Sequence, residues 1–152
     1  SLGLVGSEMC IRDRAQIMTL LKELQDEDDM GLILITHDLG VVADVADDIA
    51  VMYCGRLVEH SDVHRLYSNP AHPYTVGLID SIPRLDQHGD KLFAIGGLPP
   101  SLTDLPAGCS FHPRCRFAID ECRVGAAPEF HEVAPGRLSA CHHTEEVLHE
   151  RA

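Results

Sequence analysis

The sequence predicts an α/β fold over residues 15–68, followed by a loop-rich segment over residues 69–152 that carries a cysteine cluster. Three observations lead to this prediction. Residues 32–35 (Leu-Ile-Leu-Ile) are consecutive branched apolar residues, as in a strand buried on both faces of a helix-covered parallel sheet. All nine prolines lie between Pro70 and Pro135. Four of the six cysteines lie between Cys109 and Cys141.

An amphipathic helix is predicted before the buried strand. Its apolar positions follow the i, i+3, i+4, i+7 spacing of one helix face: Ile17, Leu20, Leu21 and Leu24. The acidic run at residues 26–29 is expected to end this helix. After the strand, Thr36, His37 and Asp38 are cap-type residues that predict a second, short helix.

A β-hairpin is predicted next. Residues 49–54 are apolar and indicate a strand, Gly55 breaks it, and residues 56–59 return along it. Ser61 is expected to cap a short helix that continues to Tyr67.

Two X-Pro pairs then precede another predicted helix. Asn69-Pro70 and His72-Pro73 favour extended geometry, which indicates either a rigid linker or a fixed hinge. The helix that follows is predicted from Pro73 to about Ser81, and it should stop before Pro83.

The length and the net charge of the chain exclude some classes of function. A chain of 152 residues predicts about one domain. The net charge of −12 and the pI near 5.1 argue against nucleic-acid binding, because an acidic surface repels phosphate backbones. No apolar run approaches the roughly 18–20 residues that cross a bilayer.

The chain is not expected to hydrolyse nucleotide by itself. A phosphate-binding loop needs Gly-Lys-Ser/Thr, in which backbone N–H groups and the lysine hold the phosphates. The only lysines, Lys22 and Lys91, follow Leu21 and Asp90. No apolar strand ends in paired carboxylates that would hold Mg²⁺.

The distal cysteines are candidate metal ligands. Cys109, Cys115, Cys122 and Cys141 supply four thiols, the full set for a tetrahedral Zn²⁺ or a [4Fe–4S] cluster. The spacing lacks the Cys-x₂₋₄-Cys pairs of common zinc sites and leans towards iron–sulfur without deciding it. The alternative is four buried thiols or disulfides.

Neighbouring residues have less definite roles. Arg114 and Arg116 flank Cys115, where they would either offset cluster charge or serve as surface arginines. His142 and His143 are candidate substitute ligands or exposed tail residues. Cys54 ends an apolar strand and is expected to pack in the core.

Five motifs, in order along the chain, carry a resemblance to a known family. Residues 34–39 (Leu-Ile-Thr-His-Asp-Leu), 46–52 and 55–59 resemble the C-terminal end of the ATPase of an ABC transporter. Residues 69–75 (Asn-Pro-Ala-His-Pro-Tyr-Thr) and 108–115 (Gly-Cys-Ser-Phe-His-Pro-Arg-Cys) are similar to the C-terminal extension of oligopeptide/dipeptide importer ATPases. The resemblance covers about residues 15–145.

The resemblance implies a fold and a function. The fold would be the C-terminal part of a P-loop NTPase (ABC ATPase) domain at 15–68, with the family's extension at 69–152. The function would be the ATP-binding subunit of a di- and oligopeptide importer, using ATP and Mg²⁺ in the intact protein. Expected partners are a second ATPase subunit, two transmembrane permease subunits and, indirectly, a peptide-binding protein. The location would be peripheral, on the cytoplasmic face of the inner membrane.

The resemblance also implies site residues. His37 matches the switch histidine that contacts the γ-phosphate and positions the attacking water, whereas its position alone would fit a loop histidine beside a helix cap. Four cysteines of this pattern imply the family's [4Fe–4S] cluster, with Zn²⁺ as the alternative: Cys109, Cys115, Cys122 and Cys141.

The first residues depart from the family pattern. Residues 1–14 match nothing expected before the first helix and resemble translated linker sequence, so Cys10 is expected to have no function. We therefore interpret the chain as a truncated gene product with a foreign leader. The competing hypothesis is a standalone metal- or iron–sulfur-binding interaction module without catalysis.

Overall fold

The structure, a computed structural model, describes residues 3–82 and 94–150, with side chains described from residue 13 onward except Arg14. The predictions on the Cys10 side chain and on Pro83 therefore lie outside the described part. The chain divides into two compact units between Val45 and Ala46. In the part that is described, no helix is both long and apolar enough to span a membrane.

The first unit is helical. Helix α1 spans Gly3–Asp28 and helix α2 spans Leu39–Val45. The predicted helix is confirmed, and it ends in the acidic run, where Asp29 adopts a left-handed φ of 50°. Its predicted core face is not buried, because Ile17, Leu20 and Leu24 are exposed.

The predicted buried strand at residues 32–35 is wrong for this structure. The segment has no regular secondary structure, and Ile33 and Ile35 are 91% and 94% exposed. A β-strand exists only when a neighbouring strand bonds to at least one of its edges. The described part of the first unit contains no strand that could pair with this segment, and its apolar side chains are exposed.

The short helix after this segment is confirmed. Asp38 caps α2: its Oδ1 accepts the Val41 N–H at 3.3 Å, and its own N–H donates to Thr36 Oγ1 at 3.0 Å. Local side-chain hydrogen bonds determine this helix start, which is why the sequence predicts it correctly.

The second unit contains a four-stranded antiparallel sheet in the order β1-β2-β4-β3. Its strands are β1 (Asp48–Tyr53), β2 (Arg56–Asp62), β3 (His131–Ala134) and β4 (Arg137–Ser139). The predicted β1–β2 hairpin is confirmed, and its turn residues Cys54 and Gly55 have φ values of 49° and 78°. Positive φ at both central positions is the pattern of a type I′ turn. The predicted parallel sheet is absent from the described residues.

Short helices and loops surround this sheet. They are α3 (Val63–Ser68), α4 (Pro73–Asp80), a 3₁₀ turn (His112–Arg114), α5 (Asp120–Arg123) and α6 (Thr144–Glu150). The predicted helix from Pro73 is confirmed. The cap assigned to Ser61 is wrong, because Ser61 is buried within β2 and Asp62 accepts the Arg65 N–H instead, at 3.0 Å.

The core of the second unit is partly aromatic. The ring of Tyr53 lies 4.6 Å from that of Tyr74 and 5.2 Å from that of Phe111. These rings come from β1, α4 and the cysteine-containing loop, so they tie the loop to the sheet. Such pairs add about 0.5–1.5 kcal/mol beyond the apolar area that they bury.

The proline-rich join is an integral part of this unit. Residues 70–73 are buried, and both carboxylate oxygens of Glu59 bind its backbone. Glu59 Oε1 accepts the Ala71 N–H at 2.7 Å, and Oε2 accepts the His72 N–H at 2.9 Å. The expectation of a simple rigid linker is therefore wrong, because an exposed spacer would not hold buried hydrogen bonds to a strand.

Candidate functional site

The four distal cysteines converge on one small cavity in the second unit. Cys109, Cys115, Cys122 and Cys141 all line it, together with aromatic and histidine side chains. Its volume is about 10 Å³, close to the space that one water molecule needs. Residues separated by 32 positions in the sequence (109 to 141) thus meet in space.

Backbone geometry brings Cys109 and Cys122 together. The Cys109 N–H donates to the Cys122 carbonyl at 3.0 Å. This approach needs glycine at position 108, which has a φ of 70°, because an added Cβ would lie 2.5 Å from the Cys122 carbonyl oxygen. Gly108 therefore sets the distance between two of the four thiols.

A tight turn places Cys115. The His112 N–H donates to the Cys109 carbonyl at 3.0 Å, and the Cys115 N–H donates to the His112 carbonyl at 3.3 Å. The imidazole of His112 also lies against the Cys109 carbonyl, with Nδ1 at 3.0 Å. The 3₁₀ turn therefore returns the chain to the same cavity.

Cys141 reaches the cavity from the sheet. It follows β4 directly, and the preceding Ala140 donates its N–H to the Val58 carbonyl of β2 at 2.9 Å. The backbone N–H of His143 donates to Cys141 Sγ at 3.3 Å. N–H···S bonds of this kind tune sulfur ligands of metal centres.

Burial raises the pKa of three of these thiols. The pKa of Cys109 is raised, that of Cys115 rises to about 11 and that of Cys141 to about 12, in each case chiefly through burial. Neighbouring thiolates raise these pKa values further, because like charges would share one cavity. Without a cation, Cys109, Cys115 and Cys141 therefore stay protonated at neutral pH.

The cysteines are free thiols, so the disulfide alternative is wrong for this structure. Across residues 3–82 and 94–150, no three His, Cys, Asp or Glu side chains stand in the arrangement of a metal site. The structure thus gives four convergent thiols without metal-site geometry. Cys54 is half-buried in the hairpin turn, apart from the cavity.

The two flanking arginines point to different places. Arg116 slightly lowers the pKa of Cys115 through its charge, and it also pairs with Glu150 at 3.0 Å. Arg114 turns away, and its guanidinium donates to the Gly96 carbonyl at 2.9 Å and to the Ile95 carbonyl at 3.3 Å. Offsetting charge at the thiols is therefore an interpretation that fits Arg116 only.

The two adjacent histidines also differ. His142 is exposed, and its Nδ1 lies 3.9 Å from Glu121. His143 is half-buried, with Nδ1 at 3.3 Å from Glu146, and its buried Nε2 has no hydrogen-bond partner among the residues that the structure describes. The expectation that both are exposed tail residues is therefore wrong for His143.

Sequence reasoning missed the buried polar network behind the cavity. His72 lines the cavity and caps α4, where its Nδ1 accepts the Tyr74 N–H at 3.1 Å. Burial lowers the pKa of His72 to about 3, against a weaker opposing effect of its hydrogen bond to the Ala140 backbone. The ring is therefore neutral and fixed between α4 and β4. The only sequence signal was the His-Pro pair before the helix.

Arg137 completes this network. Its Nη2 lies 3.1 Å from Glu59 Oε1, and it also donates to the Asn69 carbonyl. Glu59 and Arg137 are 78 residues apart in the sequence and both are buried. Nothing in the local pattern indicated this pair.

His37 lies in the first unit, at a bend just before α2, and its side chain is exposed. Asp38 and Thr36 fix the backbone on both sides of it through the cap of α2. The imidazole therefore projects from an ordered helix start into solvent.

The comparisons with known proteins agree with the motifs. The family described as "Oligopeptide/dipeptide transporter, C-terminal region" matches residues 58–122. The oligopeptide transport ATP-binding protein OppD of Haemophilus influenzae is 48% identical over 128 residues, 84% of this chain and 39% of that protein. OppD of Escherichia coli is also 48% identical, over 84% of this chain and 37% of its own length.

A third relative, from another organism, shows a similar identity and also matches over only part of its length. OppD of Mycobacterium bovis is 50% identical over 135 residues, which cover 88% of this chain and 22% of that protein. The chain thus spans less than two fifths of the length of these relatives. The comparisons give no support to a standalone metal-binding module. The chain is similar to oligopeptide transport ATP-binding proteins over most of its length, and residues 58–122 match the C-terminal region of oligopeptide/dipeptide transporters, which supports a fragment of such an ATP-binding protein.

Proposed function

We propose that the whole protein is the ATP-binding subunit of an ABC transporter that imports di- and oligopeptides. The similarity to oligopeptide transport ATP-binding proteins over 84% of the chain carries this proposal. The phosphate-binding loop and the Mg²⁺ ligands would lie outside this chain, because it has no Gly-Lys-Ser/Thr loop. The 152-residue chain alone is therefore expected to show no ATPase activity above background.

The wider assembly is part of the same proposal. The subunit would pair with a second ATPase subunit and act on two transmembrane permease subunits at the cytoplasmic face of the inner membrane. A peptide-binding protein would deliver the substrate and contact this subunit only indirectly. Nucleic acid is not an expected partner, because the chain carries a net charge of −12.

Within the intact subunit, His37 would contact the terminal phosphate and position the attacking water. An exposed imidazole on a backbone fixed by the α2 cap supports this role, because a neutral ring nitrogen can accept or donate at a reacting oxygen. His37→Ala in the full-length protein should lower ATP turnover by about 10²–10⁴-fold. ATP affinity should change far less.

His64 provides the matched control. It is another exposed histidine, on α3, and His64→Ala should leave turnover unchanged. Equal turnover of wild-type and His37→Ala protein would refute the assignment. Loss of activity in both variants would point to a general structural effect and would also contradict it.

We also propose that the four thiols hold a [4Fe–4S] cluster, with Zn²⁺ as the alternative. The residues fit such a group in chemical type, in number and in their convergence on one cavity. The ligands would be Cys109, Cys115, Cys122 and Cys141. Metal binding would supply folding free energy to a loop-rich segment that has few apolar residues.

Metal analysis of anaerobically purified protein tests this proposal. A bound cluster should give a brown protein with about four iron and four sulfide per chain, the composition of the cluster. Stoichiometric zinc without iron would replace the cluster by the zinc alternative. Protein free of both metals that still unfolds cooperatively would reject the metal centre.

A further inference from the structure

A second, larger cavity lies beside the thiol cavity, on the other side of Phe111 and Cys115. Its volume is about 360 Å³, within the range of small-molecule sites. Apolar side chains from α4, the following loop and the cysteine loop form most of its wall: Val76, Ile95, Phe111 and Pro113. None of the roles assigned above uses this cavity.

The side chain of Ile95 packs directly against α4 in the wall of this cavity. An added Cβ on Gly77 would lie 2.7 Å from Cγ1 of Ile95, so the loop packs directly on the helix backbone. Ile95 is held from the other side as well, because its carbonyl accepts a hydrogen bond from Arg114 at 3.3 Å. The wall is therefore a packed surface and not a gap between loose loops.

The charged side chains that line the cavity are both cationic, Arg114 and Arg116. The charged lining of this cavity is therefore positive, although the chain has a net charge of −12. Arg116 has a carboxylate partner, Glu150, at 3.0 Å. Among the described residues, the guanidinium of Arg114 has only neutral partners: the carbonyls of Ile95 and Gly96 and the hydroxyl of Tyr53.

Within residues 13–82 and 94–150, these contacts leave the charge of Arg114 without a counter-ion. Its three hydrogen bonds use three of the five guanidinium N–H groups, so two N–H groups remain for a ligand. A carboxylate accepts two N–H bonds from one guanidinium, which is the strongest form of this contact. The apolar wall favours a ligand whose remaining part is apolar.

We propose that this cavity binds a small carboxylate with an apolar body. Arg114 would bind the carboxylate, while Val76, Ile95 and Phe111 would cover the apolar part. The site adjoins Cys115, which lines both cavities. The proposal needs neither a metal nor nucleotide, so it stands or falls independently of the proposed function.

A pair of probes that differ only in charge tests the proposal. N-acetyl-L-leucine carries the carboxylate, and N-acetyl-L-leucinamide is its neutral counterpart of nearly the same shape. Calorimetry on the 152-residue protein should show saturable binding of the acid in the low-millimolar range, which is usual for so small a ligand. The amide should bind at least about tenfold more weakly, because a hydrogen bond to a charged group contributes more than a neutral one.

Variants locate the site. Arg114→Gln should weaken binding of the acid by about tenfold or more. Arg123→Gln is the matched control, because Arg123 is exposed on α5, next to Asp120 at 3.9 Å and outside the cavity wall. Amide shifts in NMR spectra of wild-type protein should centre on Val76, Ile95 and Phe111, which does not depend on any variant folding.

Three results would overturn the proposal. They are equal affinity for acid and amide, absence of saturable binding by the acid, and NMR shifts that centre on residues outside the cavity. Equal weakening by Arg114→Gln and Arg123→Gln would indicate a general charge effect and would also overturn it.

Discussion

A single buried carboxylate joins the proline-rich segment to the sheet. Glu59 is 0% exposed, and it accepts two backbone N–H groups as well as the Arg137 guanidinium. A buried charge in water-free surroundings is tolerated only when it is paired and fully hydrogen-bonded. The join therefore depends on one residue of β2.

Glu59→Gln should destabilise the second unit strongly. The change leaves Arg137 charged and buried without its partner, which costs about 3–5 kcal/mol in comparable cases. Chemical denaturation of wild-type and variant measures this loss. Asp62→Asn is the control at an exposed ion pair, Asp62–Arg65 at 3.3 Å, where the effect should be much smaller.

A double variant separates charge from packing. Glu59→Gln combined with Arg137→Met removes both charges, and it should recover part of the stability lost in the single variant. If Glu59→Gln is as stable as Asp62→Asn, the buried pair does not hold the join.

His72 makes stability depend on pH. Its folded pKa of about 3 lies below the ordinary value of 6.5, so the unfolded chain takes up the proton first as pH falls. The contribution of His72 is therefore complete above pH 6.5 and is lost progressively towards pH 3. The slope reaches at most about 1.4 kcal/mol per pH unit for one proton.

His72→Asn tests this dependence. Asparagine keeps a side-chain acceptor for the Tyr74 N–H but does not titrate in this range. Denaturation between pH 7.5 and pH 5 should give a shallower loss of stability in the variant than in wild type. Identical slopes would mean that other groups carry the pH dependence.

Helices and turns that depend on local residues were predicted correctly, whereas strands that depend on distant residues were not. The hairpin at Gly55 and the helix after Asp38 were predictable, because turn and cap residues act within a few positions. The strand at residues 32–35 was not, because burial on both faces depends on neighbouring strands. The pairing of β2 with β4, Glu59 opposite Ser139, had no local signal either.

The candidate site was partly predictable for the same reason. Cysteine is unusual enough that four thiols in one segment indicate a shared role, and the structure brings them to one cavity. His72 and the buried His143 Nε2 were not predictable, because burial is set by residues far away in the sequence.

The loop that carries Cys109 depends on a glycine. Gly108→Ala should separate Cys109 from Cys122, because the new Cβ would meet the Cys122 carbonyl oxygen at 2.5 Å. Gly125→Ala is the matched control: Gly125 has a φ of 85°, but nothing lies within 4 Å of an added Cβ. Both variants carry backbone strain, and only Gly108→Ala carries the clash.

Metal content and thermal stability of the two variants measure this difference. Gly108→Ala should lose more of both than Gly125→Ala. Equal effects would show that backbone strain alone matters and that the contact with Cys122 does not position the thiols.

The two units differ in how far their apolar side chains are buried. The second unit has a buried core around Leu66, Val76 and Val147, whereas residues 32–35 of the first unit are exposed. Exposed apolar segments of this kind mark surfaces that another element or chain covers. In the proposed parent protein, the rest of the ATPase domain would cover them.

Hydrogen exchange tests this contrast. Amides of residues 32–35 should exchange rapidly in the 152-residue chain, while those of β1 and β2 should be protected by their ladder. In the full-length protein the same residues should become protected. Strong protection of residues 32–35 in the short chain would contradict the observed exposure.

The proposed metal centre requires that four distant cysteines bind one common metal ion or cluster. Single Cys→Ser variants at positions 109, 115, 122 and 141, with Cys54→Ser as the matched control, test it by native mass spectrometry of anaerobically purified protein. Each of the four variants should lose most of the bound metal, while Cys54→Ser should retain the wild-type content. Metal content that survives in any one of the four, or that falls equally in Cys54→Ser, would contradict the claim.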